Sequence, residues 1–308
     1  MNIKETLEHG IELLKENNID ESTMKSRIIL ANVLDKSKEY LLVHDLEELN
    51  RDDIFKYKED VSKLCSYIPL QYITNKQEFM GLEFYVDENV LIPQPDTEIL
   101  VEEVISISKK ENKLNILDLC TGSGAIGISI AKNIEQVKIT LSDISTDALI
   151  VAEKNCNDIL KSNDIEIIQS DLFQNINNKF DIIVSNPPYI KSKVIKTLDK
   201  EVQNEPLIAL DGGEDGLNIY RRIIDEAYKY LNDDGYLCLE IGYDQKDEVM
   251  DLINSSCKYK ETYCKKDLAG NDRIIISRKL SKKHWITWKI WYHKYRGDTL
   301  WKKKKMIL

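Results

Sequence analysis

The tetrapeptide Asn186-Pro187-Pro188-Tyr189 closes an apolar run and combines residue types suited to holding a nitrogen nucleophile. Two consecutive prolines cannot continue a central strand, so the chain must leave a sheet there. They also remove two N–H donors and leave carbonyl oxygens facing whatever lies beyond the strand end. The side-chain oxygen of Asn186 and the carbonyl of Pro187 can then both accept from one NH2 group, and Tyr189 offers a flat stacking surface. The chemistry this fits is attack by a planar amide or amino nitrogen. A general-base histidine is neither needed nor at hand, because the histidines are His9, His44, His284 and His293. A Ser-His-Asp triad or a His-ligated metal at residue 186 would need a long reach from a terminus. The four residues alone make an unremarkable turn, and their weight comes from what precedes them.

Three earlier strand ends supply the rest. Cys120-Thr121-Gly122-Ser123-Gly124 follows the apolar run 115–119, where the glycines allow a tight turn and close approach of a ligand to the backbone. Gly122, Gly124 and Gly127 also satisfy the spacing of a dinucleotide fingerprint, which by itself is a weak signal and is shared with structural turns. Asp143 ends the next strand, where a carboxylate either accepts from both hydroxyls of a ribose or caps the helix beginning near Ser145. Ser170-Asp171-Leu172-Phe173 ends a third strand. There Asp171 can accept from an adenine amino group with Leu172 packed on the ring, or serve as an ordinary strand-terminal residue.

The elements that must position these ends follow from hydrophobic periodicity. Strands are predicted over 115–120, 137–143, 165–171, 181–188 and 235–242, with helices near 124–133, 145–160 and 216–231 between them. Alternating strands and helices mean a mostly parallel, doubly wound α/β sheet. Residues 258–266 and 272–279 read as a closing antiparallel hairpin. Upstream, helices are predicted at the N-terminus with an Asn2/Glu5 capping box, over 22–34 and after Asp52, giving a small helical domain over 1–70. Residues 71–93 alternate apolar and polar and read as a β-hairpin linker turning at Asp87–Asn89. The sheet domain is then 94–278.

Composition bounds the function class. The 308 residues carry a formal charge of −10. Residues 279–308 hold nine lysines, one arginine, one aspartate and all four tryptophans, a net of +9, so the body carries −19. An acidic body argues against phosphate-tracking nucleic-acid binding, and the basic tail stands outside the core. The six cysteines are scattered without a CxxC pair, which disfavours a zinc site. No secretory signal or membrane span is expected, which predicts a cytoplasmic location.

The segments DLCTGSGAI (118–126), Asp143 and NPPYI (186–190) resemble class I S-adenosylmethionine-dependent methyltransferases of the N-methylating branch. Residues 69–102, 205–224 and 271–278, together with the N-terminal bundle, narrow the resemblance to the PrmC/HemK family over essentially 1–278. Those enzymes methylate the side-chain amide of the glutamine in the Gly-Gly-Gln motif of class 1 peptide chain release factors.

The resemblance implies S-adenosyl-L-methionine as cofactor and a monomer acting on a protein substrate. It implies that Cys120, Thr121, Gly122, Ser123 and Gly124 cradle the methionine part, Asp143 binds the ribose and Leu172 lies at the adenine. Asn186, which also borders the cofactor, would hold the glutamine amide together with Pro187, Pro188 and Tyr189. The chain departs from the family's usual residues at Gln94 (arginine), Cys120 (glycine) and Asn75 (often glycine). Other classes sharing part of the pattern are DNA or RNA adenine-N6 amino-methyltransferases, which share NPPY, nicotinamide oxidoreductases, which leave NPPY without a role, and a non-catalytic binding protein on a methyltransferase fold.

Overall fold

The computed structural model describes residues 1–109, 114–160 and 165–281; the expected basic tail lies outside the described residues from 282 onward. The chain opens with α1 (Ile3–Glu16), α2 (Ser22–Leu34), α3 (Lys38–Val43), α4 (Arg51–Cys65) and α5 (Leu70–Thr74). The capping box holds: Asn2 Oδ1 accepts from Glu5 N–H at 2.9 Å, and Glu5 Oε2 accepts from Asn2 N–H at 3.1 Å. Ile3, Leu7 and Leu14 of α1 pack on Ile29, Leu30, Tyr57, Val61 and Leu64 to form the bundle core. Gly10 is required there, because a Cβ at that position would lie 1.8 Å from the Tyr57 hydroxyl.

A two-stranded hairpin follows, β1 (Gln77–Phe79) and β2 (Leu82–Phe84), paired through Phe79 and Leu82. Its turn is Met80–Gly81, not the expected Asp87–Asn89. Both turn residues have positive φ (52° and 70°), the geometry that matches strand twist in a two-residue hairpin. Asp87–Asn89 is instead a local turn, in which Asp87 Oδ1 accepts from Asn89 N–H and the Asp87 carbonyl from Val90 N–H.

The remainder is a seven-stranded sheet with helices on both faces. In chain order it comprises α6 (Glu98–Ser108), β3 (Leu114–Leu119), α7 (Ala125–Asn133), β4 (Val137–Asp143), α8 (Thr146–Ile159), β5 (Ile165–Gln169) and β6 (Phe180–Ser185). Two single-turn helices, α9 (Ser192–Ile195) and α10 (Leu207–Leu210), precede α11 (Asn218–Tyr230), β7 (Leu231–Glu240), α12 (Lys246–Ser256), β8 (Tyr259–Lys266) and β9 (Asp272–Lys279). The strand order is β5-β4-β3-β6-β7-β9-β8, with β8 and β9 antiparallel as predicted and β9 antiparallel to β7 as well. The prolines end β6 at Ser185, earlier than the predicted 188.

Along β9, Ile274 and Ile276 enter the core on one face of the sheet and Ile275 the core on the other. Fully burying such a side chain contributes roughly 1.5–3 kcal/mol. The last strand runs through Lys279, whose Nζ donates to the Leu231 carbonyl at 2.6 Å. The sheet therefore ends at the residue predicted for the closing hairpin.

The bundle meets the sheet domain along residues 200–205. Lys25 Nζ pairs with Glu201 at 2.8 Å, Asn204 Nδ2 donates to the Tyr67 carbonyl at 2.9 Å, and Lys200 Nζ lies 4.1 Å from the Tyr67 ring centroid. Glu205 Oε2 accepts from Ile92 N–H in the linker at 2.9 Å.

Candidate active site

Strand order reverses between β3 and β6, and in such a sheet the crevice at the carboxyl ends beside the reversal is where ligands bind. A cavity of about 580 Å³ lies there. Its lining includes Cys120, Thr121, Gly122, Ser123, Asp143, Leu172, Asn186 and Pro188. The strand ends picked out in the sequence therefore converge on one space. Gln94, Thr97 and Arg222 line it as well.

The glycine loop is shaped by left-handed backbone and held by a buried carboxylate. Cys120, Gly122 and Gly124 have φ of 60°, 55° and 81°. A Cβ on Gly122 would meet nothing within 4 Å. Asp118, fully buried at the end of β3, accepts through Oδ2 from the Thr121 hydroxyl at 2.6 Å and from Gly127 N–H at 2.9 Å. Burial pushes its carboxyl up to about 7 against those two donors. Asn155, on α8, adds a clamp: its Nδ2 donates to the carbonyls of Ser123 and Tyr85, and its Oδ1 accepts from Tyr85 N–H.

Asp143 is not the side-chain cap of α8. Ser145 caps it, accepting from Ala148 N–H at 3.2 Å. Asp143 Oδ2 accepts from Gly122 N–H at 2.9 Å and Oδ1 from Ser145 N–H at 3.0 Å. Each oxygen keeps acceptor capacity for a further donor from the cavity. Burial raises this carboxyl above its ordinary value, opposed by those backbone donors. Leu172 is buried with φ 51°, its carbonyl accepting from the Ser170 hydroxyl. Asp171 is engaged by Arg222 at 2.7 Å.

The Asn-Pro-Pro-Tyr turn is divided between cavity and interior. Asn186 and Pro188 line the cavity, whereas Pro187 and Tyr189 are not among the described lining residues. Tyr189 is half-buried. Its hydroxyl donates to Glu240 Oε1 at 3.2 Å, and burial with the nearby Glu240 charge pushes it well above the ordinary phenol range. The turn is also pressed from behind, since a Cβ on Gly212 would lie 2.7 Å from Tyr189 Cα. Only glycine lets the 211–216 loop approach so closely.

On the far side, Asn186 Nδ2 donates to the Thr97 hydroxyl at 3.4 Å. Sequence reasoning missed Thr97, Asn155 and Glu240 as contributors. The available signal for Glu240 was one acid inside the apolar run LCLEIG.

Comparison with known proteins agrees with this geometry. The methyltransferase small domain profile matches residues 94–267, and the PrmC N-terminal domain profile matches 5–74. A release factor glutamine methyltransferase of Clostridium acetobutylicum is 40% identical over 281 residues, covering 90% of this chain and 98% of that protein. Another, from Clostridium botulinum, is 39% identical over 286 residues, covering 91% and 100%. A crystal structure of protein-(glutamine-N5) methyltransferase (release factor-specific) from Alicyclobacillus acidocaldarius is 29% identical and covers 64% of this chain and 99% of that one, with a TM-score of 0.41. One profile falls on the helical bundle, the other on the sheet that carries the cavity, and the relatives align along nearly their full length: the chain belongs to the release factor glutamine methyltransferase family.

Proposed function

We propose that the protein transfers a methyl group from S-adenosyl-L-methionine to the side-chain amide nitrogen (N5) of the glutamine in the Gly-Gly-Gln motif of class 1 peptide chain release factors. The observation that carries this reading is a single cavity bounded on one side by the glycine loop and Asp143 and on the other by Asn186. Its size falls in the usual range for small-molecule sites of roughly 300–1,000 Å³. The residues fit the cofactor: Gly122 leaves its side open, and the Asp143 oxygens have capacity left for two hydroxyls.

The backbone from Cys120 to Gly124 would hold the methionine part, Asp143 the ribose and Leu172 the adenine ring. The bound sulfonium supplies an electrophilic methyl with its own leaving group. What remains for the protein is position and polarity. A glutamine amide nitrogen is a weak nucleophile because its lone pair is delocalised into the carbonyl. Asn186 Oδ1 and the Pro187 carbonyl, each accepting one N–H, draw electron density toward that nitrogen and fix its direction.

Residues 1–70 are assigned to the body of the release factor, and remote binding energy then aligns one glutamine at the slot. The bundle exposes Val43, Leu46 and Phe55, and the cavity mouth exposes Leu207 and Ile208. This reading carries with it a cytoplasmic location and action as a monomer. No helix among the described residues is long and apolar enough to cross a membrane.

The test is a methyl-labelled donor offered with an intact release factor, a short Gly-Gly-Gln peptide and duplex DNA. Labelling should fall on the glutamine of the intact factor, much more weakly on the peptide, and not on DNA. Robust DNA labelling without labelling of the factor overturns the assignment.

A further inference from the structure

Within the glycine loop, the peptide joining Ser123 to Gly124 is pinned at both polar ends. The Gly124 N–H donates to the Thr121 carbonyl at 2.9 Å, and the Ser123 carbonyl accepts from Asn155 Nδ2 at 2.9 Å. A peptide is planar, so the two bonds together set which way it faces. Ser123 lines the cavity, whereas Asn155 is 1% exposed and is not among the described lining residues. The carbonyl is therefore drawn behind the loop. Released, it could turn toward the cavity and set its negative end against a bound carboxylate, beside the first turn of α7 whose free N–H groups favour one.

The Asn155 side chain has no freedom to turn over. Its Nδ2 also donates to the Tyr85 carbonyl at 2.9 Å, and its Oδ1 accepts from the Tyr85 N–H at 2.7 Å. Both amide hydrogens and the oxygen are thus engaged. Reversed, the group would aim oxygen at two carbonyls and NH2 at an N–H. Tyr85 belongs to the linker, and the linker is fastened on both sides. Tyr72 on α5 donates its hydroxyl to the Val90 carbonyl at 2.6 Å, and Asn75 at the end of α5 donates to the Val86 carbonyl at 3.0 Å. Tyr72, Val86 and Val90 share one buried cluster with Ala148 and Val151 of α8, the helix that carries Asn155.

We infer that Asn155 is a positioning residue for cofactor binding, held in place by the Tyr85 backbone, so that the linker from the helical bundle is part of the cofactor site. This rests on the S-adenosyl-L-methionine reading above. Tyr85 is not among the described residues lining the cavity, and its influence on the loop runs through Asn155. Order at Tyr85 and occupation of the cavity are then linked in both directions. A ligand that needs the loop in this shape favours the Asn155 contacts, and loss of those contacts weakens the ligand.

The experiment measures S-adenosyl-L-methionine Kd by calorimetry, and kcat on the intact release factor at saturating cofactor, for wild type, Asn155→Ala and Asn155→Asp. Asn155→Ala should raise Kd about tenfold, the scale of losing a buried hydrogen-bonding partner. Its kcat at saturation should stay within about threefold of wild type, because the loop binds the cofactor and does not touch the amide. Asn155→Asp keeps an acceptor for the Tyr85 N–H but sets oxygen against the two carbonyls, and should weaken binding at least as much. Ile253→Val, a core substitution on α12 away from the cavity, should leave Kd unchanged. Amide hydrogen exchange supplies the second readout: S-adenosyl-L-methionine should slow exchange at Tyr85 in the wild type. Unchanged Kd in Asn155→Ala, a loss of kcat with Kd intact, an equal rise of Kd in Ile253→Val, or no added protection at Tyr85 overturns the proposal. If neither Asn155 variant folds, exchange in the wild type decides alone. A wild type that binds no S-adenosyl-L-methionine overturns the cofactor reading itself, and this proposal with it.

Discussion

The two walls of the cavity are built on different principles. The glycine-loop wall is backbone held by nearby carboxylates: Asp118 reaches Thr121 and Gly127 only 3 and 9 residues away, and Asp143 reaches Gly122 at 21. The Asn-Pro-Pro-Tyr wall is side chain held from afar: Asn186 meets Thr97 across 89 residues, and Tyr189 meets Glu240 across 51. The first wall is built mostly within one continuous stretch, from β3 to Asn155 on α8. The second exists only when the whole sheet domain is assembled. Damage to one should therefore be separable from damage to the other, as cofactor affinity against turnover.

The largest effect is expected at Asn186. Asn186→Ala should lower turnover on the order of 10²-fold or more, the usual cost of removing a positioned polar group at a reacting centre, with cofactor affinity nearly intact. Turnover close to wild type in this variant would remove Asn186 from the chemistry.

Gly212→Ala attacks the same wall from behind, placing a methyl 2.7 Å from Tyr189 Cα. Overpacking of this kind costs roughly 1–3 kcal/mol, read as a lower denaturation midpoint, and turnover should fall while cofactor binding holds. A variant as stable and active as wild type would mean the loop relaxes freely.

Asp143→Ala should invert the pattern. It removes the acceptor for Gly122 and Ser145 together with the proposed ribose contact, so cofactor affinity should drop about tenfold. Turnover at saturating cofactor should suffer less. Titration calorimetry showing unchanged affinity in a folded variant refutes the ribose role.

Both walls contain a carboxyl raised to about 7, Asp118 in one and Glu240 in the other, and Glu205, in the 200–205 segment beside the bundle, adds a third. In the unfolded chain such groups lose their protons near pH 4, so between there and neutrality the folded state binds more protons. Stability must then fall as pH rises through that window and level off above it. Melting temperatures should be higher at pH 5.5 than at pH 8, and Glu205→Gln should narrow the gap by about 2–4 °C. A Tm that rises over this range contradicts the sign.

The smallest effect is expected at Cys120→Gly. Relief of left-handed strain at φ 60° and the extra unfolded-state freedom of glycine oppose each other, so stability should move by no more than about 1 kcal/mol. Cofactor affinity should stay within about threefold, since the contact proposed there is to backbone. A larger loss would show that the thiol itself touches the ligand.

The same contrast explains what was legible in the sequence. The glycines, Asp143 and the prolines announce themselves because each does its work within its own turn. Strands 137–143 and 272–279 and helix 22–34 were placed to the residue, each an apolar cluster bounded by polar or charged residues. Thr97 and Glu240 were silent because their role depends on partners that only the folded sheet brings near. The hairpin turn was misplaced for a local reason. Asp87 and Asn89 are strong turn formers, whereas Met80 rarely takes positive φ and does so here with its N–H donated to Glu98 Oε1 at 2.6 Å. Tyr189 was read from its ring, and the bond from its hydroxyl to buried Glu240 was not legible because the two lie 51 residues apart.

The segment from Lys200 to Gly212 bears on how this protein could be recombined with its relatives. One end is tied to the bundle through Lys25 and Tyr67, and the other hydrogen-bonds Ile190 beside the Asn-Pro-Pro-Tyr turn, through the Leu210 carbonyl and Gly212 N–H, both at 2.9 Å. The bundle proposed to bind the release factor is thus attached to the sheet domain through a segment distant from it in sequence. A chimera that exchanges residues 1–93 alone would set Glu201 and Asn204 against a foreign surface and pull on the turn. One that carries 200–212 along with the bundle would transplant the proposed recognition surface and its attachment as a single working part.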